Sequence, residues 1–325
     1  MKKQTTDISN QGTILRNALA LLLLLLQSAA GQEFKNTATA GFVFLELPAT
    51  ARASALGEAS LALSDVRSAA LFTNPGALGF MSQSHSFTAS AAPWLADIMH
   101  YSSSYAVRTD AGVFGIGMTA VDYGDIPRTV IASGQKVFDV TGSYTAGATS
   151  VGLSYSRMLT QQFSFGATIK YAEERIDTYA ASNVLFDGGI LYFTGLGSLR
   201  IAAAIQNFGV NAKFINDEFK MPSVLRMGVA AEVMNDPEAG FRMTVTGEAL
   251  HPNDNNEKLH FGTELAWNEM IVLRGGYKFF YDEESFTAGI GLDPKFTFPL
   301  QIDISYSDYG RLGAVTRLTI QAGVE

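Results

Sequence analysis

Apolar and polar residues alternate with a period of two along most of the chain after residue 83. In the stretch 163–171, Phe163, Phe165 and the other odd positions are apolar, whereas the even positions are small or polar. The stretch 300–306 repeats the pattern with Leu300 and Ile302 on its apolar side. Successive side chains of a β-strand point to opposite faces, so this alternation predicts strands with one apolar and one polar face.

The alternation divides this part of the chain into an even number of strands. We predict fourteen, at 84–93, 98–107, 111–122, 144–158, 163–175, 184–194, 198–207, 223–234, 241–250, 259–267, 270–281, 285–293, 298–308 and 311–324. Every second connection is short, and several of the others are long, at 123–143, 176–183, 208–222 and 251–258. An even strand count with short turns at one end and longer loops at the other is typical of a bacterial outer-membrane barrel.

Two all-β folds fit the alternation. A soluble sandwich would place the apolar faces inward, and a transmembrane barrel would turn them toward lipid. The predicted strands are longer than the five or six residues usual in soluble sheets, and aromatic residues such as Tyr101, Phe279 and Tyr306 lie near strand ends, as in an interfacial girdle. The predicted fold is therefore an all-β, antiparallel transmembrane barrel.

The first 31 residues have the pattern of a signal peptide. Lys2, Lys3 and Arg16 precede the apolar run 18–26, and small residues follow at 28–31. The apolar run is shorter than the about 20 residues that a membrane-spanning helix needs. We expect residues 1–31 to be removed on export and the protein to lie in the outer membrane of a Gram-negative type of cell.

Residues 32–82 differ from both neighbours, because they are rich in alanine and lack the strand pattern. Small residues near helical spacing at 51–63 predict short helices. Asp65 is predicted to cap a helix through Leu71, and Asn74 is predicted to cap one that opens with Pro75. We expect this segment to fold into the lumen as a plug, with the barrel proper occupying residues 83–325.

Three motifs of this segment resemble a known family. They are Gly41-Phe-Val-Phe-Leu45, then Ala51-Arg52-Ala-Ser-Ala-Leu-Gly57, and Asn74-Pro75-Gly-Ala-Leu78. They are similar to the N-terminal signature of the PorV/PorQ family, and the stretches 151–157 and 165–171 resemble its fourth and fifth strands. That family is similar to FadL-type fourteen-stranded outer-membrane barrels and is linked to type IX secretion. The resemblance implies a role in protein export and marks Arg52, Gly57, Asp65, Asn74 and Pro75 as plug residues.

Composition excludes several classes of function. The chain has no cysteine, so disulfides and thiolate metal sites are absent, and its net charge of -8 argues against a nucleic-acid partner. His85 and His100 have no acid convincingly placed beside them, and His260 and Glu264 are too far apart on one strand to form a dyad. The acidic loop 253–257, between His251 and His260, is either a weak cation site or a solvated turn. We expect no enzyme activity, no cofactor and no metal; a barrel-type lipid hydrolase or acyltransferase is the enzyme alternative.

Charged residues within the predicted strands have their own pattern. A charge facing lipid at mid-bilayer costs about 2–4 kcal/mol, so these side chains are predicted to face the lumen. They either line a polar path or pair with one another and with the plug. The candidates are Arg200, Arg226, Glu232, Arg242, Glu248, Glu264, Arg274, Lys278, Asp303 and Arg317. Glycines inside the strands also have two alternative explanations. Either a ligand or the plug approaches the strand closely, or the strand bends at that point.

The first loop is a candidate docking rim. It places Pro93, Trp94, Leu95, Ile98 and Met99 around one tight connection. Such residues dip into the outer leaflet, pack against a neighbouring loop, or anchor a partner, a role in which tryptophan is favoured. We predict a non-enzymatic component of protein secretion or surface attachment, whose partners are outer-membrane lipid and an exported cargo protein or a translocon subunit. The alternative is a FadL-like channel for hydrophobic small molecules.

Overall fold

A computed structural model of the chain describes residues 39–131, 137–294, 296 and 298–324. The predicted signal peptide, residues 1–31, lies outside the described residues, as do residues 32–38 of the predicted plug. Among the described residues, no helix combines the length and the apolar character that crossing a membrane requires.

Fourteen antiparallel strands form a closed barrel, which confirms the predicted fold class. Each barrel strand is hydrogen-bonded to the next one along the chain, and β1 closes the barrel against β16. Strands β8 and β9 form a separate two-stranded hairpin in the connection between β7 and β10. The strands are β1 His85–Pro93, β2 Met99–Thr109, β3 Gly112–Ile131, β4 Phe138–Met158, β5 Phe163–Ile176, β6 Tyr179–Phe193, β7 Arg200–Phe208, β8 Ala212–Lys213, β9 Glu218–Phe219, β10 Val224–Asp236, β11 Phe241–Pro252, β12 Lys258–Trp267, β13 Ile271–Phe279, β14 Phe286–Leu292, β15 Leu300–Asp308 and β16 Ala314–Val324.

Two predicted long loops are wrong. The stretch 123–143 is mostly strand, because the β3–β4 ladder continues to the pair Ile131–Phe138. Register shifts between Asp122 and Asp125 and between Arg128 and Thr129 interrupt the period of two, which hides the strands in the sequence. The stretch 176–183 is also strand, since β5 and β6 pair up to Ile176–Tyr179 and leave two residues for the turn.

The barrel is polar inside and apolar outside. In β16, Arg317, Thr319 and Gln321 are buried, while Leu318 and Ile320 between them are exposed. This is the reverse of a soluble sandwich, in which the apolar face is the buried one. The structure therefore excludes the sandwich alternative.

The barrel interior holds the described part of the N-terminal segment. It contains two short helices and three 3₁₀ turns: Val43–Glu46, α1 Ala51–Ala55, Arg67–Ala69, α2 Ala70–Thr73 and Pro75–Phe80. Its apolar residues form a buried core against the inward face of the wall, with Leu56, Leu61 and Leu78 fully buried. Strand side chains satisfy its backbone amides, as where Ala51 N donates to Thr319 Oγ1 at 2.7 Å and Gly57 N to Thr287 Oγ1 at 2.9 Å.

The predicted helices of this segment are shorter than the sequence suggests. Thr50 caps α1 through Ala53 N, but the helix ends at Ala55, and Gly57 and Glu58 follow with left-handed backbone angles. The predicted cap at Asp65 is wrong. The next turn begins after Val66 without a side-chain cap, and the Asp65 carboxylate binds Arg52 instead.

Candidate functional site

Arg52 joins the N-terminal segment to the barrel wall. Its Nε lies 3.0 Å from Glu264 Oε2 in β12, and its Nη2 lies 3.0 Å from Asp65 Oδ2. Arg274 in β13 binds the same Glu264 oxygen at 2.7 Å and reaches Asp303 of β15 at 2.6 Å. Five charged side chains thus form one network, in which each guanidinium is shared by two carboxylates. Four of them are buried, and the Asp65 side chain is 55% exposed.

Apart from Arg317, the other candidate lumen charges also point inward and are paired. Arg200 binds Glu232 at 2.8 Å, and Arg226 binds Glu248 at 2.5 Å. Their further partners include residues that the sequence did not single out: Arg242 binds Glu269 at 2.8 Å, and Lys278 binds both Glu58, at 2.7 Å, and Glu284. The sequence left two explanations for these charges, a polar path or pairing with one another and with the N-terminal segment. The structure shows the pairing.

Arg317 differs from the other candidate charges. It is 0% exposed, and its Nη1 donates to His100 Nδ1 at 2.9 Å. Its Nε and Nη2 have no hydrogen-bond partner among the described residues. The Trp94 ring covers the guanidinium, with 5.7 Å between Cζ and the ring centre.

Asn74 and Pro75 fix the last turn of the segment against the wall. Asn74 Oδ1 accepts from Gly76 N at 2.9 Å, and its Nδ2 donates to Leu61 O and Ile190 O at 3.0 and 3.1 Å. The wall approaches so closely that a Cβ on Gly166 would overlap the carbonyl of Pro75. Close approach of the segment therefore accounts for this strand glycine.

A cavity of about 380 Å³, here called the vestibule, opens at the barrel end that carries the loops 94–98, 253–257, 280–285 and 309–313. Its lining contains apolar residues, among them Leu45, Val224 and Leu250, as well as several carboxylates. The charged and aromatic residues of the lining are Glu46, Glu58, Asp254, Glu284, Arg226, Lys258, Lys278, Phe72, Trp94, Tyr281 and Tyr309. The vestibule is thus amphipathic.

Glu46 is a vestibule residue whose pKa is shifted into the physiological range. Its side chain is solvent-accessible, but protein atoms surround it on several sides. Partial desolvation, reinforced by the negative charges of Asp254, Glu58 and Glu284, raises its pKa to about 7, against the opposing effect of Lys278. The barrel strands do not include Glu46, Asp254 or Glu284. No periodic pattern covers these positions, so the sequence could not indicate that the three side chains converge.

Trp94 does not project from the first loop as a docking anchor, which corrects the predicted rim. Its ring packs edge-on against Tyr309 at 5.3 Å and lines the vestibule, and Leu95 packs in the same cluster. Ile98 and Met99 are half-buried, and Pro93 is exposed. Of the three explanations for these residues, packing against a neighbouring loop matches the structure.

A smaller inner pocket of about 60 Å³ adjoins the vestibule and shares Leu45, Phe72 and Gln206 with it. On the outer face of β3–β7 lies an apolar groove of about 670 Å³, lined by residues such as Phe114, Ile169 and Ile205. The inner pocket and the outer groove share Thr168 and Asp187. A single layer of backbone, here called the thin wall, therefore separates the two.

The backbone ladder is interrupted at the thin wall. The register of β6 against β7 shifts between Phe186 and Gly188, and Asn207 has a φ of 56°. Asn207 N donates to Asp187 Oδ1 at 2.8 Å rather than to a backbone carbonyl, and Lys170 Nζ bridges Asp187 Oδ2 at 2.8 Å and Asn207 Oδ1 at 2.5 Å. Side-chain contacts hold the wall here. In the sequence, the only indication of this interruption was that Lys170 and Asp187 occupy inward positions of their strands.

No family model and no curated protein matches this chain. Solved structures do match. The Ralstonia pickettii toluene transporter TbuX is 14% identical, with a TM-score of 0.59 over 86% of this chain and 99% of that one. The Pseudomonas putida toluene transporter TodX is also 14% identical, with a TM-score of 0.57 over 85% and 97%.

The CymD monoaromatic hydrocarbon channel is 9% identical, with a TM-score of 0.56 over 87% of this chain and 97% of that one. These solved barrels are transporters and channels rather than enzymes. At such low identity the likeness is one of architecture, and it extends over nearly the full length of each barrel. The chain has the fold of these hydrocarbon-transporting barrels.

Proposed function

We propose that this protein is an outer-membrane channel for small hydrophobic molecules, with the N-terminal segment as its plug. The observation that carries the proposal is the thin wall, where an inner pocket and an apolar outer groove lie back to back at Thr168 and Asp187. The likeness to toluene transporters supports the same function.

The cavities define a route. A molecule enters the vestibule, passes into the inner pocket and leaves through the thin wall into the outer groove, which faces lipid. The inner pocket, at about 60 Å³, is smaller than the ~150 Å³ cavity that holds benzene in a packed core, so the route is closed in this conformation. Opening requires the contacts among Lys170, Asp187 and Asn207 to separate. The β6–β7 ladder is already interrupted at this point, so opening here separates side-chain contacts rather than a continuous run of backbone hydrogen bonds.

The outer face supports placement in a membrane. Large apolar side chains such as Leu153, Leu273 and Ile304 are exposed around the barrel. In water such a surface would drive aggregation, whereas lipid solvates it.

Two outward-facing glycines provide the test. A Cβ on Gly188, in the outer groove, would lie 3.8 Å from its nearest neighbour, and one on Gly275, elsewhere on the barrel, would lie 4.0 Å away. Both sites therefore accept a larger residue without a backbone clash. We expect Gly188→Trp to fill the groove and reduce toluene uptake by about tenfold, equivalent to ~1.4 kcal/mol, in a host without other hydrophobic-compound channels.

Gly275→Trp is the matched control and should leave uptake unchanged. Heat-modifiable gel migration verifies that both variants assemble. If the Gly188→Trp variant and the parent protein take up toluene equally, toluene does not leave through the thin wall. If the parent protein takes up no toluene, the proposed channel function is wrong.

The second candidate is the protein-export role implied by the PorV/PorQ resemblance, with docking of an exported protein at the barrel rim. A different hairpin from the one predicted supports it. Strands β3 and β4 have 20 and 21 residues, about twice the 9–11 that cross a bilayer, so their ends project beyond the barrel. Ile131 and Val137, next to residues 132–136, are 95% and 84% exposed.

Capture of outer-membrane and secreted proteins by the purified barrel tests this candidate. If the hairpin docks cargo, Ile131→Ser with Val137→Ser abolishes capture and leaves toluene uptake intact. The double variant Trp94→Ala with Leu95→Ser is the matched control, since these side chains face inward.

A further inference from the structure

The vestibule carries more negative than positive charge. Four carboxylates line it, from Glu46, Glu58, Asp254 and Glu284, together with Lys258 and Lys278, while the lining residue Arg226 is already neutralised by Glu248 behind it. Lys278 is shared by Glu58 and Glu284. The Lys258 ammonium donates to Phe280 O at 2.6 Å and lies over the Tyr281 ring. Glu46 and Asp254 are left without a cation.

Asp254 is the more unusual of these two residues. Its side chain lines the vestibule, is 7% exposed, and has no hydrogen-bond or ion-pair partner among the described residues. Its neighbours in the loop are bonded: Asn253 Nδ2 donates to Met221 O, and Glu257 pairs with His251. A carboxylate that is mostly withdrawn from water and lacks a partner is unfavourable. A cation that enters the vestibule supplies the counter-charge that the protein does not give to Asp254.

The raised pKa of Glu46 is consistent with this excess of negative charge. After desolvation, its largest cause is repulsion by Asp254, and Glu58 and Glu284 add to it. A cation bound between Glu46 and Asp254 would relieve that repulsion.

The rest of the lining favours an organic cation over a metal ion. Among the described residues, no group of three or more histidine, aspartate or glutamate side chains is arranged to hold a metal. The lining also contains the apolar residues Leu45, Val224 and Leu250, and Trp94 and Tyr309 add aromatic surface. A volume of about 380 Å³ is within the range of small-molecule sites.

We propose that the vestibule selects small amines with an apolar body, and that Asp254, assisted by Glu46, binds their ammonium group. The inference rests on the proposed channel function and specifies its substrate class. An anion of the same shape meets the excess negative charge and is disfavoured, and an uncharged hydrocarbon leaves Asp254 unpaired.

Three probes with a common phenethyl body test the selection: phenethylamine, ethylbenzene and 3-phenylpropionate. Binding to the purified barrel in lipid nanodiscs is measured by titration calorimetry at pH 6.5, together with uptake into proteoliposomes. We expect phenethylamine to bind about tenfold or more tightly than 3-phenylpropionate. Asp254→Asn should weaken phenethylamine binding by about tenfold, an effect of ~1.4 kcal/mol, and leave ethylbenzene uptake unchanged.

Glu257→Gln is the matched control, because it removes a carboxylate from the same loop that is half exposed and paired with His251 at 3.3 Å. Glu46→Gln, at an accessible side chain, is the second variant if Asp254→Asn does not assemble, and it should weaken phenethylamine binding by a smaller factor of about three. Any of three results would overturn the proposal. The parent protein binds phenethylamine and 3-phenylpropionate equally, the variant that assembles keeps the parent's affinity for phenethylamine, or the variant loses affinity for all three probes by the same factor. Ethylbenzene uptake by the parent protein separates these outcomes from failure of the channel function itself.

Discussion

Arg52 in helix α1 and Glu264 in strand β12 form a two-point ion pair inside the barrel. Arg52 Nε lies 3.0 Å from Glu264 Oε2, and Arg52 Nη2 lies 3.1 Å from Glu264 Oε1. Both side chains are almost completely buried. A planar guanidinium held at two points fixes the orientation of α1 relative to the wall, so this pair sets where the N-terminal segment sits.

We therefore predict that Arg52→Met loosens the segment. The substitution leaves Glu264 with Arg274 and with Arg242, whose Nη1 lies 3.6 Å from Glu264 Oε1, and removes the cation bound to Asp65. Removing one partner of a buried ion pair costs at most about 3–5 kcal/mol. Limited proteolysis should cleave within residues 39–80 in the variant and not in the parent protein. Arg311→Met is the control, because the Arg311 side chain that pairs with Glu283 is 90% exposed and surface ion pairs contribute little to stability. Equal protease resistance of the parent and Arg52→Met proteins would contradict this role.

Gly166→Ala should displace the last turn of the segment. A Cβ at this position meets the backbone of Pro75 and Gly76, which cannot move without breaking the contacts of Asn74. We expect overpacking to cost about 1–3 kcal/mol, and the permeability to bulky antibiotics to rise. Gly275→Ala, where the nearest atom is 4.0 Å away, should change neither property. If the two alanine variants behave alike, close packing is not the reason for Gly166.

Asn74→Ala removes three hydrogen bonds at once, including the cap on Gly76 N. We expect a loss near the upper end of the about 0.5–2 kcal/mol range for caps, and greater antibiotic permeability, measured in whole cells. Thr160→Ala deletes a turn-capping hydroxyl in an exposed connection and should leave permeability unchanged. Unaltered permeability in Asn74→Ala would argue against a plugging role.

Glu46 should make stability depend on pH. Its folded-state pKa is raised from 4.5 to about 7, so the folded protein holds this proton more tightly than the unfolded chain. The stability linked to Glu46 is therefore fully present below pH 4.5 and is lost as the pH rises through about 7. Removing the carboxyl with Glu46→Gln abolishes this dependence, and solvent access makes the effect modest.

Melting temperatures at pH 5 and pH 8 provide the measurement. Relative to Glu46→Gln, the parent protein should be less stable at pH 8 than at pH 5. The ionised Glu46 is repelled by Asp254, Glu58 and Glu284, and Lys278 compensates this repulsion only in part. Glu257→Gln, outside the vestibule, should follow the parent protein. A parallel pH dependence of the parent and Glu46→Gln proteins would contradict the raised pKa.

The sequence by itself determined the barrel, because the period of two is a property of the strand backbone that each stretch displays independently of the others. Strands such as Phe163–Ile176 and Phe241–Pro252 begin where the pattern predicts. The same alternation places Glu264 and Arg274 on inward positions. Where a register shift breaks the period, as between Asp122 and Asp125, the sequence indicates a loop and the structure has a strand.

Tertiary structure decided which inward groups meet. Arg52 and Glu264 are 212 positions apart, and only closure of the barrel around the segment makes them neighbours. Trp94 turns inward because Tyr309 and Arg317, from the other end of the chain, offer it an aromatic edge and a cation. Asp254 and Glu46 converge in the vestibule for the same reason. Local pattern determines the direction of a side chain, but its partner depends on the path of the whole chain, which no local period encodes.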